Sequence, residues 1–458
     1  MLLNIKEAAC AMNGEYRGSG EKTIAGMFTD SRESFEGGMF FALPGERVNG
    51  HVFVAEMNEK GFPCVVSDKR FFTGENILVK NTERALGDLA RWWREKHAAG
   101  TKVVAVTGSV GKTTTKDMIG EVLSSTYNTY VPKGNKNSTI GLPTTVAKLV
   151  PSYEYAVFEL GSSDFGEISY LSNIVHPSVS VITCIGSSHL EHFHTRDNIR
   201  KEKYGILDGQ EKGGYVILDG DSDADYAMRE KLTDYKPVYC GFSERCDFRI
   251  TTDYKNDKRD ENLFRRNDFK VTYRSRTYDV HIYVPGNHMA KNATYAFAAG
   301  VLNGVDPEIA ATALGRYVPY GDRLRIYNKD GVTVIADCYN ASPESMKAAL
   351  EVLEKFGAFR RKIAVLGDML ELGDDSEPLH EEIALKAAFH ADILIYVGYY
   401  ANVFADACNL TKKVKCFDLD QKTEAAEYIK GLLAPGDVVL FKASRGVGLE
   451  KIIKEAGL

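Results

Sequence analysis

No window of this sequence approaches the ~18 uninterrupted apolar residues that a membrane-spanning helix requires. The amino-terminal stretch MLLNIKEAACAMNG has no basic segment ahead of an apolar core. Neither secretion nor membrane insertion is therefore expected, and the expected compartment is the cytoplasm. Clustered cysteine is missing as well. Cys10, Cys64, Cys184, Cys240, Cys246, Cys338, Cys408 and Cys416 form no C-x-x-C pair and lack the tight spacing of a zinc site, so they read as buried thiols in a reducing compartment. There is no basic excess either: 57 Lys+Arg against 63 Asp+Glu give a net charge of -6, which leaves no general attraction for a nucleic-acid backbone. An anionic ligand has to be held by a local device. Repeats and low-complexity tracts are lacking too. What remains, 44% hydrophobic and 26% charged residues, is the composition of an ordinary globular protein.

A chain of 458 residues exceeds what one hydrophobic core organises, and ~150 residues per domain suggests about three domains. Residues 1–98 mix short apolar runs (Met39–Leu43, Cys64–Val66, Ile77–Val79) with Gly, Asp and Asn turns and close on the helical ERALGDLARWWREKH. From 99 to 316, the strand-like VVAV, YAVFEL, SVSVITCIG and GYVILDG alternate with helices, and a polar insertion at 244–282 has a more antiparallel pattern. One hinge is expected near Gly100 and a second at Tyr317, Pro319 and Gly321. Residues 317–458 then alternate TVIADCY, KIAVLGD, DILIYVG and DVVLFKAS with helices such as ESMKAALEVLEKFG. The expected fold is α/β in three domains: a small N-terminal one, a central parallel-sheet one, and a C-terminal Rossmann-like, doubly wound one.

The strongest local signal is Gly108-Ser109-Val110-Gly111-Lys112-Thr113-Thr114, directly after the apolar strand Val103–Val106 and before the helical TKDMIGEVL. The glycines let backbone N–H groups and a helix N-terminus face a phosphate, Lys112 supplies a mobile cation, and Thr113 offers a hydroxyl to Mg²⁺. Val106 stands where the usual phosphate-loop spacing has a glycine, so this is a shortened variant. The loop alone does not choose between kinase, nucleotide switch and ligase. A guanine reader is not supported, because Asn328-Lys329-Asp330 lacks the required spacer.

Glu159 ends the strand Tyr155–Phe158 and His189 follows the strand Ser178–Ile185, so both fall at the carboxyl ends of parallel strands, where open α/β sheets bind ligands. Either can ligate Mg²⁺ or act as a general base. Lys203 is less ordinary. At ~100° per residue, Ile199, Lys203, Ile206 and Leu207 share one face of DNIRKEKYGIL, while Arg200, Lys201 and Glu202 spread elsewhere. An ammonium on an apolar stripe must snorkel, be paired, be neutralised or be chemically changed.

Taken in order, TGSVGKTTT, FELGSSDFGEI, IGSSHLEH with its lysine helix, DCYNASPESMKAAL, LGDMLELG and KASRG resemble the Mur ligase family, the ATP-dependent amino-acid and peptide ligases of peptidoglycan synthesis. The N-terminal FTDSR and FFALPGERVNGHVF resemble the UDP-sugar domain of members that add D-alanyl-D-alanine. The resemblance implies that Lys112 cradles the ATP phosphates, that Thr113 and Glu159 hold one Mg²⁺, and that His189 and Lys203 help hold a second. Lys203 would be carbamylated, which turns its ammonium into a carboxylate-like anion. Asn292 would contact adenine, and Arg323 and Asp337 the ATP phosphate and ribose. Asp30, Ser31 and Arg32 would hold the UDP moiety, with Asn135 and Asn137 of GNKNS near the donor. Tyr339, Asn340, Ser342, Lys442, Ser444 and Arg445 would lie near the incoming dipeptide. The sequence departs from the family pattern at Asn49, Ser138, Ser342 and Ala443, none of them a phosphate or metal group.

The implied reaction is ATP-dependent joining of D-alanyl-D-alanine to the C-terminal carboxylate of UDP-N-acetylmuramoyl-tripeptide. The rival expectation is a related ligase with another amino-acid or dipeptide acceptor; a nucleotide-dependent switch that binds without ligating is a third. A monomer with small-molecule substrates and no nucleic-acid partner is expected, its domains closing over a hydrolysable intermediate.

Overall fold

A computed structural model describes residues 3–45, 48–252, 266–319, 321, 323–356, 360–408 and 414–458. Glu46 and Arg47 of the GERVNG turn and residues 253–265 of the polar insertion lie outside the described residues. The chain forms two compact units: residues 1–107, 126–181 and 204–215 make one, and 108–125, 182–203 and 216–458 the other.

The first unit opens with a five-stranded sheet built from β1 (Glu15–Tyr16), β2 (Gly26–Phe28), β3 (Gly38–Phe41), β4 (Cys64–Val66) and β5 (Ile77–Leu78) in the order β1-β5-β4-β3-β2. Strands β2 to β5 run parallel and β1 pairs antiparallel with β5. The runs GMFF and CVV are buried throughout, as strands covered on both faces must be. Phe28, Phe40, Val54, Met57 and Val66 form the local core. The Thr82–His97 helix follows, started by Asn81, whose side chain accepts from Arg84 N. Its buried face, Ala85, Leu86, Leu89, Ala90 and Trp93, has helical spacing, and it also buries Arg94. Arg94 survives there because its guanidinium donates to the carbonyls of Val175 (3.1 Å), Thr101 (2.8 Å) and Ala98.

A second sheet in this unit contains β6 (Lys102–Thr107), β7 (Thr129–Tyr130), β8 (Tyr155–Glu159) and β9 (Val179–Ile182), ordered β9-β6-β8-β7. Strands β6 and β8 are parallel, and their register sets Glu159 beside Val106 at the carboxyl edge.

In the second unit, β10 (Tyr215–Asp219), β11 (Lys236–Gly241), β12 (Phe248–Thr251), β13 (Asn267–Tyr273) and β14 (Arg276–Ile282) lie side by side in that order. The β12–β13 and β13–β14 pairs are antiparallel, as the alternation at 244–282 suggests, whereas β11–β12 is parallel. The Lys112–Ser124 helix packs against the Asn287–Leu302 helix. The remaining strands, β15 (Arg325–Lys329), β16 (Val332–Asp337), β17 (Lys362–Gly367), β18 (Ile393–Val397), β19 (Val414–Phe417) and β20 (Val438–Lys442), form a sheet of order β15-β16-β20-β17-β18-β19. All of its pairs are parallel except the β15–β16 hairpin. Because β20 inserts between β16 and β17, the carboxyl ends of β16 and β20 become neighbours, and Asp337 is in register with Lys442. The fold is α/β, as expected.

Candidate active site

The phosphate loop occupies the turn before the Lys112–Ser124 helix. Gly108 and Gly111 have φ of 141° and 83°, a region that disfavours other residues. Space excludes a side chain as well: a Cβ on Gly108 would overlap Thr183 Oγ1, and one on Gly111 would sit 2.7 Å from Asn292 Oδ1. Asn292, the expected adenine contact, thus lies against the loop itself. Neighbouring groups clamp the loop. Ser109 N donates to Cys184 O (2.7 Å), Thr183 Oγ1 to Val110 O (2.6 Å), Gly186 N to Ser109 Oγ (2.9 Å), and the buried Tyr295 hydroxyl to Thr183 O (2.8 Å). Lys112 Nζ donates to the carbonyls of Gly108 (2.8 Å) and Ser109 (3.1 Å), so the ammonium is folded over the loop. Thr113 and Thr114 are buried at the first turn of the helix. Backbone N–H groups, a helix N-terminus and a cation converge here, which is an anion cradle.

In the first unit Glu159 is buried at the end of β8, and Asn137 Nδ2 donates to its Oε1 at 2.7 Å. The same loop is tied down by Gly161 N donating to Asn137 O (2.9 Å) and Asn137 N to Asn135 O (2.8 Å). Asn137 is therefore brought to the carboxylate, with Asn135 tied to it through the backbone. Among the described residues no three of His, Cys, Asp and Glu cluster as a metal cage. A magnesium ion shared with nucleotide phosphates needs only one or two protein oxygens, and the buried Glu159 carboxylate is a donor of that kind.

The segment after β9 is held mainly by charge. His189 adopts φ 61°, and its Nδ1 lies 2.5 Å from Glu371 Oε2. Glu371, itself at φ 65°, accepts Glu191 N on its carbonyl (3.2 Å), and the imidazole beside it lowers its carboxyl pKa. Glu344 Oε1 takes Ser187 N (3.1 Å), Ser187 Oγ (3.1 Å) and Arg196 Nη2 (3.2 Å). Neither glutamate stands out by spacing; Glu371 lies inside LGDMLELG and Glu344 inside NASPESMK. Lys203 is 1% exposed, with its ammonium 5.6 Å from the Phe193 ring centre and Ile199 and Ile206 also buried. Glu202, placed off the stripe by the helical projection, is buried too.

At the edge formed by β16 and β20, Lys442 Nζ pairs with Asp337 Oδ2 (2.6 Å) and donates to Asn340 O (3.0 Å). The Tyr339 ring has the Arg323 guanidinium 3.7 Å from its centre and that of Arg445 at 5.2 Å. Ser444 Oγ accepts Leu370 N (3.0 Å), and Ser342 is buried in reciprocal bonds with Ser345 at the start of the Pro343–Phe356 helix. Arg323, Asp337, Tyr339, Asn340, Lys442 and Arg445 thus form one group, whereas Ser342 and Ser444 engage the scaffold. His288 was not anticipated: burial pushes its imidazole down to about 4, and Asp337 and Lys442 act on it electrostatically.

Asp30, Ser31 and Arg32 follow β2. Asp30 accepts Arg32 N (3.0 Å), Nε (2.9 Å) and Nη2 (2.6 Å), which hold its carboxyl at about 2. Asp68 and Arg70 repeat the device after β4.

Comparison with known proteins fits this geometry. Residues 106–300 match the family model described as the Mur ligase middle domain, and 322–445 that described as the Mur ligase, glutamate ligase domain. The UDP-N-acetylmuramoyl-tripeptide--D-alanyl-D-alanine ligase of Bacillus subtilis (strain 168) is 36% identical over 442 residues, which cover 95% of this chain and 93% of that one. A crystal structure of MurF from Acinetobacter baumannii superposes with a TM-score of 0.90 at 31% identity, covering 100% of this chain and 99% of that one. The MurF ligase of Thermotoga maritima in complex with ADP gives 0.82 at 27% identity, covering 94% and 96%. With its phosphate loop, its buried carboxylate and this likeness along nearly its whole length, the chain belongs to the Mur ligase family.

Proposed function

We propose that this chain joins D-alanyl-D-alanine to the C-terminal carboxylate of UDP-N-acetylmuramoyl-tripeptide, converting ATP to ADP and phosphate. The observation that carries this reading is the clamped loop Gly108–Thr114 with Lys112 folded over it, in a chain 36% identical to a ligase of that name. A carboxylate oxygen is not a leaving group until it is phosphorylated. Transfer of the ATP γ-phosphoryl to it gives an acyl phosphate, which the dipeptide amine attacks with release of phosphate. Lys112 and the loop N–H groups bear the phosphate charge during transfer. Two bound magnesium ions would neutralise the transferring phosphoryl group. Thr113 and Glu159 would hold one, and His189 with a carbamylated Lys203 the other.

In this reading Asn292, Arg323 and Asp337 contact the nucleotide, and Asp30, Ser31 and Arg32 the UDP group. Asn135 and Asn137 orient the donor, while Tyr339, Asn340, Ser342, Lys442, Ser444 and Arg445 face the dipeptide. The domains run 1–98, 99–316 and 317–458, a division supported by family matches at 106–300 and 322–445. The protein works as a cytoplasmic monomer, and among the described residues no helix is long and apolar enough to cross a membrane.

Purified protein incubated with ATP, the UDP-muramoyl tripeptide and D-Ala-D-Ala should yield the pentapeptide by mass spectrometry. Phosphate release should stop when any one substrate is omitted. Release that continues unchanged without the dipeptide, with no ligated product, defeats the reading.

A further inference from the structure

A cavity of about 290 Å³ in the first unit lies where the loops carrying Asn137 and Glu159 continue. Its walls come from the start of the Thr82–His97 helix (Glu83, Arg84), from Thr139, and from Phe165 and Tyr170 around the start of the Glu167–Val175 helix. Thr139 lies two residues beyond Asn137, a span of at most about 7 Å, and Asn137 touches Glu159 at 2.7 Å. Phe165 is reached from Glu159 along the loop on the other side, where Glu167 Oε2 accepts the backbone N–H groups of Ser163 (2.7 Å) and Asp164 (3.2 Å). The cavity is therefore built onto the two loops that hold the Glu159 carboxylate.

Its chemistry is two-signed. The Arg84 guanidinium lies 4.9 Å from the centre of the Tyr170 ring, with its side chain 67% exposed and Asp88 3.7 Å away. Tyr170 is seated against Gly87, where a Cβ would overlap its hydroxyl. The Glu83 carboxylate is fixed by Thr139 Oγ1 at 2.6 Å, and Phe165, half-exposed, offers an apolar face between the charges.

In the proposed reaction the activated carboxylate belongs to the last residue of the donor peptide, so that residue's own side chain starts one carbon from the reaction centre and needs a compartment within its reach. We infer that this cavity receives that side chain, and that Arg84 and Glu83 together select a terminus carrying both a carboxylate and an ammonium over one carrying an ammonium alone. Methylenes would lie on Phe165, the carboxylate on Arg84 and the ammonium on Glu83. An ammonium-only chain satisfies Glu83 and brings no carboxylate to Arg84, which keeps its contact with Asp88 at 3.7 Å. Selection by an added charge-assisted pair is the kind of difference a polar pocket enforces strongly.

The inference rests on the ligase reading above, and the test separates the two. Two UDP-muramoyl tripeptides are compared, one ending in 2,6-diaminopimelate and one in lysine, with ATP and D-Ala-D-Ala. The wild-type kcat/KM should favour diaminopimelate by ~10-fold or more. Arg84→Ala should lower kcat/KM for diaminopimelate ~10–10²-fold and for lysine by less than about 3-fold, while Arg84→Lys restores part of the preference. Glu83→Gln should lower both by similar factors. Circular dichroism should match wild type, as expected for a mostly exposed arginine. If the wild type couples both tripeptides without preference, or keeps its preference in Arg84→Ala, the assignment of the cavity is overturned and the ligase reading stands. If it couples neither, the ligase reading fails and takes the inference with it.

Discussion

The phosphate loop and the segment from Gly186 to Lys203 belong to the same unit but are held in place by different means. The loop is fixed by backbone groups and small hydroxyls: Ser109 to Cys184, Thr183 to Val110, and two glycines at positive φ. The segment is fixed by carboxylates far along the chain, Glu344 on Ser187 and Arg196, and Glu371 on His189. A loop whose shape follows from its own residue types can be recognised in any sequence that contains it. A segment whose shape depends on distant charges cannot, because nothing within it records its partners. The contrast also says where each region is vulnerable. The loop should respond to changes at Thr183 and Tyr295, whose hydroxyls hold backbone carbonyls in and beside it, whereas the segment should respond to loss of carboxylates about 150 to 180 positions away.

The largest expected effect tests the loop. Lys112→Ala removes the cation folded over Gly108 and Ser109 and should reduce turnover ~10²-fold or more with the fold intact by circular dichroism. Near-normal ligation by that variant would remove the loop from the chemistry. Next comes the segment's own buried lysine. Lys203→Ala should lose most activity, and short carboxylic acids added in solution should restore part of it, since they supply the anion a carbamate would provide. Wild-type activity in Lys203→Ala would refute the modification. Smaller again is a change at a distance: Glu371→Gln keeps the shape but weakens the contact with His189, and should cost ~10-fold in turnover while leaving nucleotide affinity nearly unchanged. An equal loss in nucleotide affinity would mean that the two regions are not separable.

The smallest effect concerns a charge pair between near neighbours. Asp30 should titrate by NMR at about 2, below the ~3.9 of an unfolded chain. Its folded pKa is lowered, so any stabilisation from the pair is present above about pH 4 and fades as pH falls toward 2. Arg32→Ala should return the titration toward ~3.9 with little change in melting temperature.

These differences track what was legible in the sequence. Continuous apolar runs such as Val103–Val106 and Val438–Phe441 announce buried parallel strands, and their order alone gives the α/β class. Strands of two residues, Glu15–Tyr16 and Thr129–Tyr130, are too short for any period to register. Edge strand β15 is missed because RIYNK buries nothing fully. In the site, Lys112, Glu159 and Lys203 are visible from spacing or from an ill-matched face. Glu344, Glu371 and the burial of Arg94 are not, since a glutamate in a loop and an arginine in a helix look solvated until a distant carbonyl, imidazole or guanidinium meets them. The pairing of Asp337 with Lys442 likewise requires knowing that β20 inserts beside β16.

That inconspicuous β15 has a consequence for how the protein behaves in a crowded solution. Strand β16 is apolar and buried from Val332 to Ala336, and an unprotected flank of such a strand is a template for adding a strand from another molecule. The antiparallel β15 takes up that flank and turns outward the exposed Arg325, Asn328 and Lys329, a polar, positively charged border that a second copy would have to desolvate and repel. Removing β15 alone (Arg325–Lys329) should therefore make the chain more prone to aggregate, even though Arg323 and Asp337 of the proposed chemistry would be retained.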